Sequence, residues 1–254
     1  MSKHQIISCI FIAFTLIYGI GFFLWNWSFI LYFFVFIIWL ILTIYGSFQI
    51  RFNYHLKAIT NIKTTQKVVA ITFDDGPSEF TTEILKLFEN QPHKATFFCV
   101  GKNIKQHPEI FKNILKQGHD IGNHTYSHAK NMGFKNPTEI IAEIEKTNQI
   151  IEKYTGQKNT YFRPPFGVTN PSIRKAVQQT KHKVIGWNIR SLDAVIKNEE
   201  KIFQRIIKKI APGSIILLHD TSEKSVEVVK KLLAYLNKEN YQSLTIEEFL
   251  KLEK

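Results

Sequence analysis

From Gln5 to Ile50 the chain carries no Asp, Glu, Lys or Arg, and nearly every side chain is apolar or aromatic. About 20 apolar residues cross a bilayer as a helix, so this stretch is too long for one crossing and suits two. A polar break at Asn26-Trp27-Ser28 divides it into roughly 5–25 and 29–49. Trp25 and Trp27 at that break suit a membrane–water interface. The expectation is a membrane anchor over residues 1–50, a transmembrane helical hairpin. The competing readings are a cleaved signal peptide followed by a buried helix, and an all-apolar soluble core. Gly19 and Gly21 do have the small-x-small spacing of a cleavage site, but Phe22-Phe23-Leu24-Trp25 follows at once. They therefore lie inside the apolar run rather than at its end.

Nearly all ionisable groups lie beyond that stretch, and the 254-residue chain has a formal net charge of +12. Its lysines are spread over predicted helices instead of gathering in one block, and no nucleic-acid motif appears, so a nucleic-acid partner is not expected. Proximity to anionic lipid headgroups accounts for the charge. Cys9 falls in the first apolar segment and Cys99 follows Phe97-Phe98 in a buried strand pattern, so no disulfide framework is implied. Nothing in the sequence sets an oligomeric state.

A polar connector, 51–66, leads into a domain over 67–254 in which short apolar runs alternate with amphipathic ones. The pattern predicts strands at 67–73, 94–100, 119–123, near 159–162, 183–189, 213–219 and near 241–244. Helices are predicted at 79–90, 107–117, 137–153, 170–180, 198–210, 223–238 and 245–253. Asn136-Pro137 and Asn170-Pro171 read as an N-cap followed by proline in the first turn. Repeated strand–helix units argue for an α/β fold with a parallel sheet, and roughly seven of them favour a barrel.

In such a barrel, sites form at the carboxyl ends of the strands. Ile71-Thr72-Phe73-Asp74-Asp75-Gly76-Pro77 ends an apolar strand in two adjacent carboxylates. Side chains alternate along a strand and its extension, so the two can face different targets, one a metal and the other a proton. Taken alone, the run is more simply an Asp-rich turn. However, His124 and His128 follow the third strand, Arg163-Pro164-Pro165-Phe166-Gly167 the fourth, Asp193 lies beyond Trp187-Asn188-Ile189, and His219 ends the sixth. Chance would scatter these over both barrel ends. Two imidazoles four residues apart, on a helical face or in a tight loop, form with a carboxylate a site that leaves positions open for water and substrate. Zinc is the default ion, with cobalt or nickel as alternatives.

On these residues, the chain from about Lys67 to Ser243 resembles the polysaccharide deacetylases of the NodB-homology type, carbohydrate esterase family 4. Thr72-Phe73-Asp74-Asp75-Gly76-Pro77 is similar to the first family motif, His124-Thr125-Tyr126-Ser127-His128 to the second, Arg163-Pro164-Pro165-Phe166 to the third and Leu217-Leu218-His219 to the fifth. The resemblance implies a distorted (β/α)7 barrel and metal-dependent removal of N- or O-acetyl groups from a sugar. It implies Asp74 as general base and Asp75, His124 and His128 as metal ligands. Arg163 would pair with Asp74, the Phe166 backbone N–H would hold the oxyanion, Leu217 would line the acetyl pocket, and His219 would be the acid. The fourth motif departs from the family: Arg190-Ser191-Leu192-Asp193-Ala194 keeps only Asp193, as the partner orienting His219. Arg190 is either a contact for an anionic substrate or the partner of a nearby acid.

The leading expectation is a deacetylase integral to the cell membrane, acting on an N-acetylated glycan. The alternatives are a deacylase of a lipid-linked sugar at the membrane and a catalytically inactive glycan-binding scaffold. A hairpin puts Lys3 and the domain on one side, and the cations Lys3, Arg51, Lys57 and Lys63 favour the cytoplasm there. The family's work on external glycans favours export, the placement preferred here.

Overall fold

A computed structural model describes residues 1–253. Two long helices come first, α1 (Lys3–Trp25) and α2 (Phe29–Phe48). Ser2 starts α1 with a capping box to Gln5, and Asn26 in the left-handed region ends it. The two helices pack on each other through Phe11 stacked on Trp39 at 4.9 Å and through the Trp39 indole donating to Ser8. Their outer surfaces are bare: only 11% and 6% of their most apolar windows are buried. Both are long and apolar enough to cross a membrane.

The rest is built from β1 (Ala58–Ile59), β2 (Val68–Asp74), α3 (Glu79–Phe88), β3 (Ala95–Cys99), α4 (Gly101–Gln106), α5 (Pro108–Lys116), β4 (Asp120–Asn123), α6 (Pro137–Thr155), β5 (Tyr161–Phe162) and α7 (Pro171–Thr180). It continues with β6 (Lys183–Ile185), β7 (Ile189–Arg190), α8 (Glu199–Ile207), β8 (Ser214–His219), α9 (Glu223–Lys238), β9 (Gln242–Ser243) and α10 (Ile246–Lys251). The strands form one curved sheet in the order β1-β6-β5-β4-β3-β2-β8-β7, with β9 beside the start of β2. Every strand pairing is parallel, with helices returning the chain between them. This is a distorted (β/α)7 barrel.

Central β2 is buried at every residue, as a parallel strand covered on both faces must be. Val69, Ile71 and Phe73 pack outward with Ile84, Leu85 and Phe88 of α3 and Val229 and Leu232 of α9. Ala70 packs inward with Phe98, Ile215 and Leu217. Strand alternation thus carries Thr72 and Asp74 to the interior face.

Three expectations change. The strand at 183–189 breaks into β6 and β7, because Gly186 donates to Ile59 of β1 while Asn188 donates to Ile215 of β8. β1 and β8 lie toward opposite ends of the sheet, so one straight strand cannot pair with both and the chain crosses over there. The stretch 51–66, read as a connector, buries Tyr54, Leu56 and Ile62 and supplies β1. Finally, α4 forms where no helix was expected.

The hairpin is seated on the barrel. The Tyr54 carbonyl accepts from the His4 N–H at 2.9 Å, and the Ser47 carbonyl from the Thr169 N–H at 2.9 Å. Gly46 makes this approach feasible, since a side chain there would occupy the space of the Tyr54 ring.

Candidate active site

Arg163 follows β5 and is fully buried in the barrel, its guanidinium 4.0 Å from the centre of the Phe98 ring. It donates to the carbonyls of Ile185 and Gly186 at 3.0 Å each, to the Thr72 hydroxyl at 2.9 Å and to Asp74 Oδ1 at 2.7 Å. With a donor aimed at each of these acceptors, the guanidinium fixes the Asp74 carboxylate in place.

The next residue turns away. Asp75 has φ 76°, in the left-handed region, and its Oδ1 lies 3.4 Å from His124 Nε2 and 3.2 Å from His128 Nε2. The two imidazoles come from a loop with no helix, held by Thr125 at φ 65° and His128 at φ 48°. Glu143 of α6 pins that loop by accepting from the N–H groups of Tyr126 and Ser127, at 3.1 and 2.8 Å. Asn103 donates to the Asp75 carbonyl at 2.6 Å.

The donor set fits a divalent cation. His124 Nδ1 donates to the Arg163 carbonyl at 2.8 Å, so in the neutral ring Nε2 is a bare lone pair directed at Asp75. Asp75 Oδ1 is buried and receives no hydrogen bond. Two nitrogens and an oxygen each about 2.0–2.2 Å from one tetrahedral ion would lie roughly 3.3 Å apart, close to the 3.4 and 3.2 Å between Asp75 Oδ1 and the two ring nitrogens. Burial opposes ionisation of Asp75, yet the three imidazoles around it hold its carboxyl well below the usual range. Burial also opposes the charge on His124, but Asp74 and Asp75 raise its pKa, whereas burial and then His124 lower that of His128.

On the other flank, His219 ends β8 with Nε2 4.0 Å from Asp75 Oδ2. Burial pulls its pKa down, but Asp193, then Asp74 and Asp75, push it up to about 9. Asp193 accepts from the His219 ring at 2.8 Å and from the Ser191 and Ser225 hydroxyls at 2.7 and 3.1 Å. Leu217 is buried on the interior face, paired with Thr72. Phe166, half exposed at φ 60°, packs its ring on His128 at 4.7 Å. Asp74, Asp75, His124, His128, Arg163, Asp193, Leu217 and His219 thus converge at one end of the barrel. Arg190 makes no ion pair among the described residues, and its guanidinium lies 6.0 Å from the Trp187 ring.

Sequence reasoning missed Asp220. Its buried carboxylate fills the space a side chain on Gly76 would take and accepts from Thr81 at 2.5 Å, linking the end of β8 to the first turn of α3. Its place directly after His219 at a strand end was the available signal.

The family model for polysaccharide deacetylase matches residues 61–185. A peptidoglycan-N-acetylglucosamine deacetylase of Bacillus cereus is 31% identical over 198 residues, covering 75% of this chain and 91% of that protein. The Bacillus subtilis peptidoglycan-N-acetylmuramic acid deacetylase PdaC is 32% identical over 194 residues, 76% of this chain, which spans only 41% of PdaC. A solved PdaC structure superposes with TM-score 0.70 at 31% identity, covering 75% of this chain and 93% of that one. Another neighbour is BA3943 of Bacillus anthracis, described as a pseudoenzyme, with TM-score 0.71 at 28% identity over 77% of this chain and 69% of that one. Barrel and strand-end constellation together define a carbohydrate-esterase class of protein. The chain belongs to the polysaccharide deacetylase family, carbohydrate esterase family 4.

Proposed function

We propose that the chain is a metal-dependent hydrolase that removes N-acetyl (or O-acetyl) groups from amino sugars of a glycan, with α1 and α2 anchoring it in the cell membrane. The observation that carries this reading is the unsatisfied Asp75 Oδ1 between two imidazoles, with a carboxylate fixed by Arg163 on one flank and the His219 imidazole, held by Asp193, on the other.

Asp75, His124 and His128 are the groups that would hold the cation, zinc by their chemistry, with cobalt or nickel as substitutes. Such an ion supplies a low water pKa and a polarised acetyl carbonyl. Asp74 takes the proton of the attacking water, its lone pairs oriented by Arg163. As the water oxygen bonds the acetyl carbon, negative charge grows on the carbonyl oxygen, and the Phe166 backbone N–H is assigned to it. Leu217 walls the methyl group. Collapse breaks the carbon–nitrogen bond, and the leaving nitrogen takes its proton from His219, which Asp193 keeps oriented. Acetate and a free amine result. Acetate release from a panel of N-acetylated glycans, with and without chelator, is the test; release that survives the chelator, or none from any glycan, overturns it.

A second reading, deacylation of a lipid-linked sugar, is favoured by the seating of the hairpin. Thr169, three residues past Phe166, bonds the last turn of α2, and Asn170 bonds the Gly133 carbonyl at 2.6 Å. Phe134, next to Gly133, is 93% exposed. The rim of the site therefore lies close to the anchor, within reach of a sugar held at a bilayer. A scaffold without activity is disfavoured by the complete set of ligands, base and acid.

A further inference from the structure

Away from the active site, a cavity of about 550 Å³ opens between the start of α1, the segment after α2 and α7 with the turn that follows it. Lys3, Lys57, Arg174 and Lys181 line it, and no carboxylate does. A second hollow of about 240 Å³ shares Ser2, His55, Arg174 and Gln178 with it and adds Lys175. Among the described residues none of these cations forms an ion pair with an acid; Lys3 donates to the Phe52 carbonyl at 2.8 Å and Arg174 to the Ser2 hydroxyl at 3.2 Å.. Gathering like charges without a counter-ion is unfavourable for the chain alone, so the place suits an anion.

A buried group in the same wall also lacks a partner. His55 lines both hollows and is 2% exposed. The Ser47 hydroxyl donates to the Thr43 carbonyl, so it takes the His55 Nε2 proton at 3.0 Å and leaves Nδ1 a bare acceptor with no hydrogen bond. A headgroup that joins an anionic phosphate to a hydroxyl donor answers both the cations and this nitrogen.

Position decides the source of the phosphate. The cavity lies at the root of the hairpin, where α1 begins and where the chain leaves α2 for the barrel. If α1 and α2 cross a bilayer, that is the level of the lipid headgroups, where each nearby Lys or Arg strengthens attachment to anionic lipid. We propose that this cavity binds the headgroup of an anionic, hydroxyl-bearing phospholipid and so fixes the barrel's tilt on the membrane. The inference rests on the membrane-anchor reading above and is independent of the deacetylase chemistry.

The test uses the full chain in detergent micelles. Short-chain phosphatidylglycerol, short-chain phosphatidylcholine, glycerol phosphate and inorganic phosphate are titrated separately, with the thermal midpoint and lipid retained in native mass spectra as readouts. Phosphatidylglycerol is expected to raise the midpoint and stay bound. Arg174→Gln and Lys57→Gln are each expected to weaken it about fivefold, as one phosphate-facing cation should. Equal response to phosphatidylcholine overturns the anionic specificity. Equal response to glycerol phosphate or inorganic phosphate overturns the lipid assignment. Undiminished affinity in both variants overturns the location. Partition of the chain into the aqueous phase of a detergent phase separation defeats the anchor reading itself. Partition into the detergent phase with no phosphatidylglycerol effect defeats this inference alone.

Discussion

Asp193 holds His219 twice: its Oδ2 accepts the backbone N–H at 2.8 Å and its Oδ1 the ring Nδ1–H at 2.8 Å. With its pKa pushed up to about 9, the His219 ring keeps its proton at neutral pH and loses it as pH climbs through that value. If His219 is the acid, the alkaline limb of kcat/KM reports its titration. Asp193→Asn removes the largest raising influence and should move that limb to lower pH, with the metal content unchanged. An unmoved limb removes His219 from the role of acid.

His124→Ala and His128→Ala should each lose the divalent ion, measured as metal per chain after dialysis. Removing a ligand takes away both a bond and the preorganisation of the rest. Full occupancy in the double variant places the metal elsewhere.

Asp74→Asn should retain the ion, because the side chain faces Arg163 and stands 3.9 Å from His124 Nε2. Turnover should fall by about 10² to 10⁴, the usual range for loss of a general base. Near-normal turnover assigns the base to another group.

Arg163→Ala should destabilise the domain by about 3–5 kcal/mol, since it leaves a buried carboxylate without its partner. Arg163→Met combined with Asp74→Leu should cost less than Arg163→Ala alone, as both charges leave together. Denaturant unfolding of the full chain in detergent compares them.

Burial is the main cause that pushes His55, His119 and His182 down to about 4. Unfolded, each binds a proton near 6.5, so between pH 6.5 and 4 the unfolded chain holds protons the folded chain refuses. Their contribution is full above 6.5 and is lost as pH falls through that window. Asp220, raised to about 7 chiefly by its burial, acts in the opposite sense, keeping a proton that the unfolded chain has released. His219, raised to about 9, acts with Asp220 but gains nothing further below about pH 6.5, so the three buried imidazoles still outweigh the two and the thermal midpoint should be lower at pH 5 than at pH 7.5. Asp220→Asn should steepen the decline; a flatter one contradicts the Asp220 reading.

Lys63 is exposed on the barrel side of the anchor. With Lys63→Cys, a membrane-impermeant thiol reagent should label intact cells if the domain is exported. Protection until lysis places the domain in the cytoplasm and strengthens the lipid-linked substrate.

Local order was legible from residue types alone. The two apolar helices, the alternation of strands and helices, and the position of each carboxylate and imidazole at a strand end follow from periodicity and turn chemistry, which are properties of neighbouring residues. Partnership was not. Asp74 and Arg163 stand 89 positions apart and meet because β2 and β5 face each other across one barrel interior. Asp75 turns toward His128 because the chain enters the left-handed region beyond the strand. The break at Gly186, the carboxylate of Asp220 beside Gly76 and the basic cavity at the root of α1 depend on which strand lies beside which, and on where the hairpin is seated. Side-chain alternation is a local geometry that a sequence states directly, whereas the pairing of distant strands is decided only when the whole sheet closes and its buried polar groups find their partners.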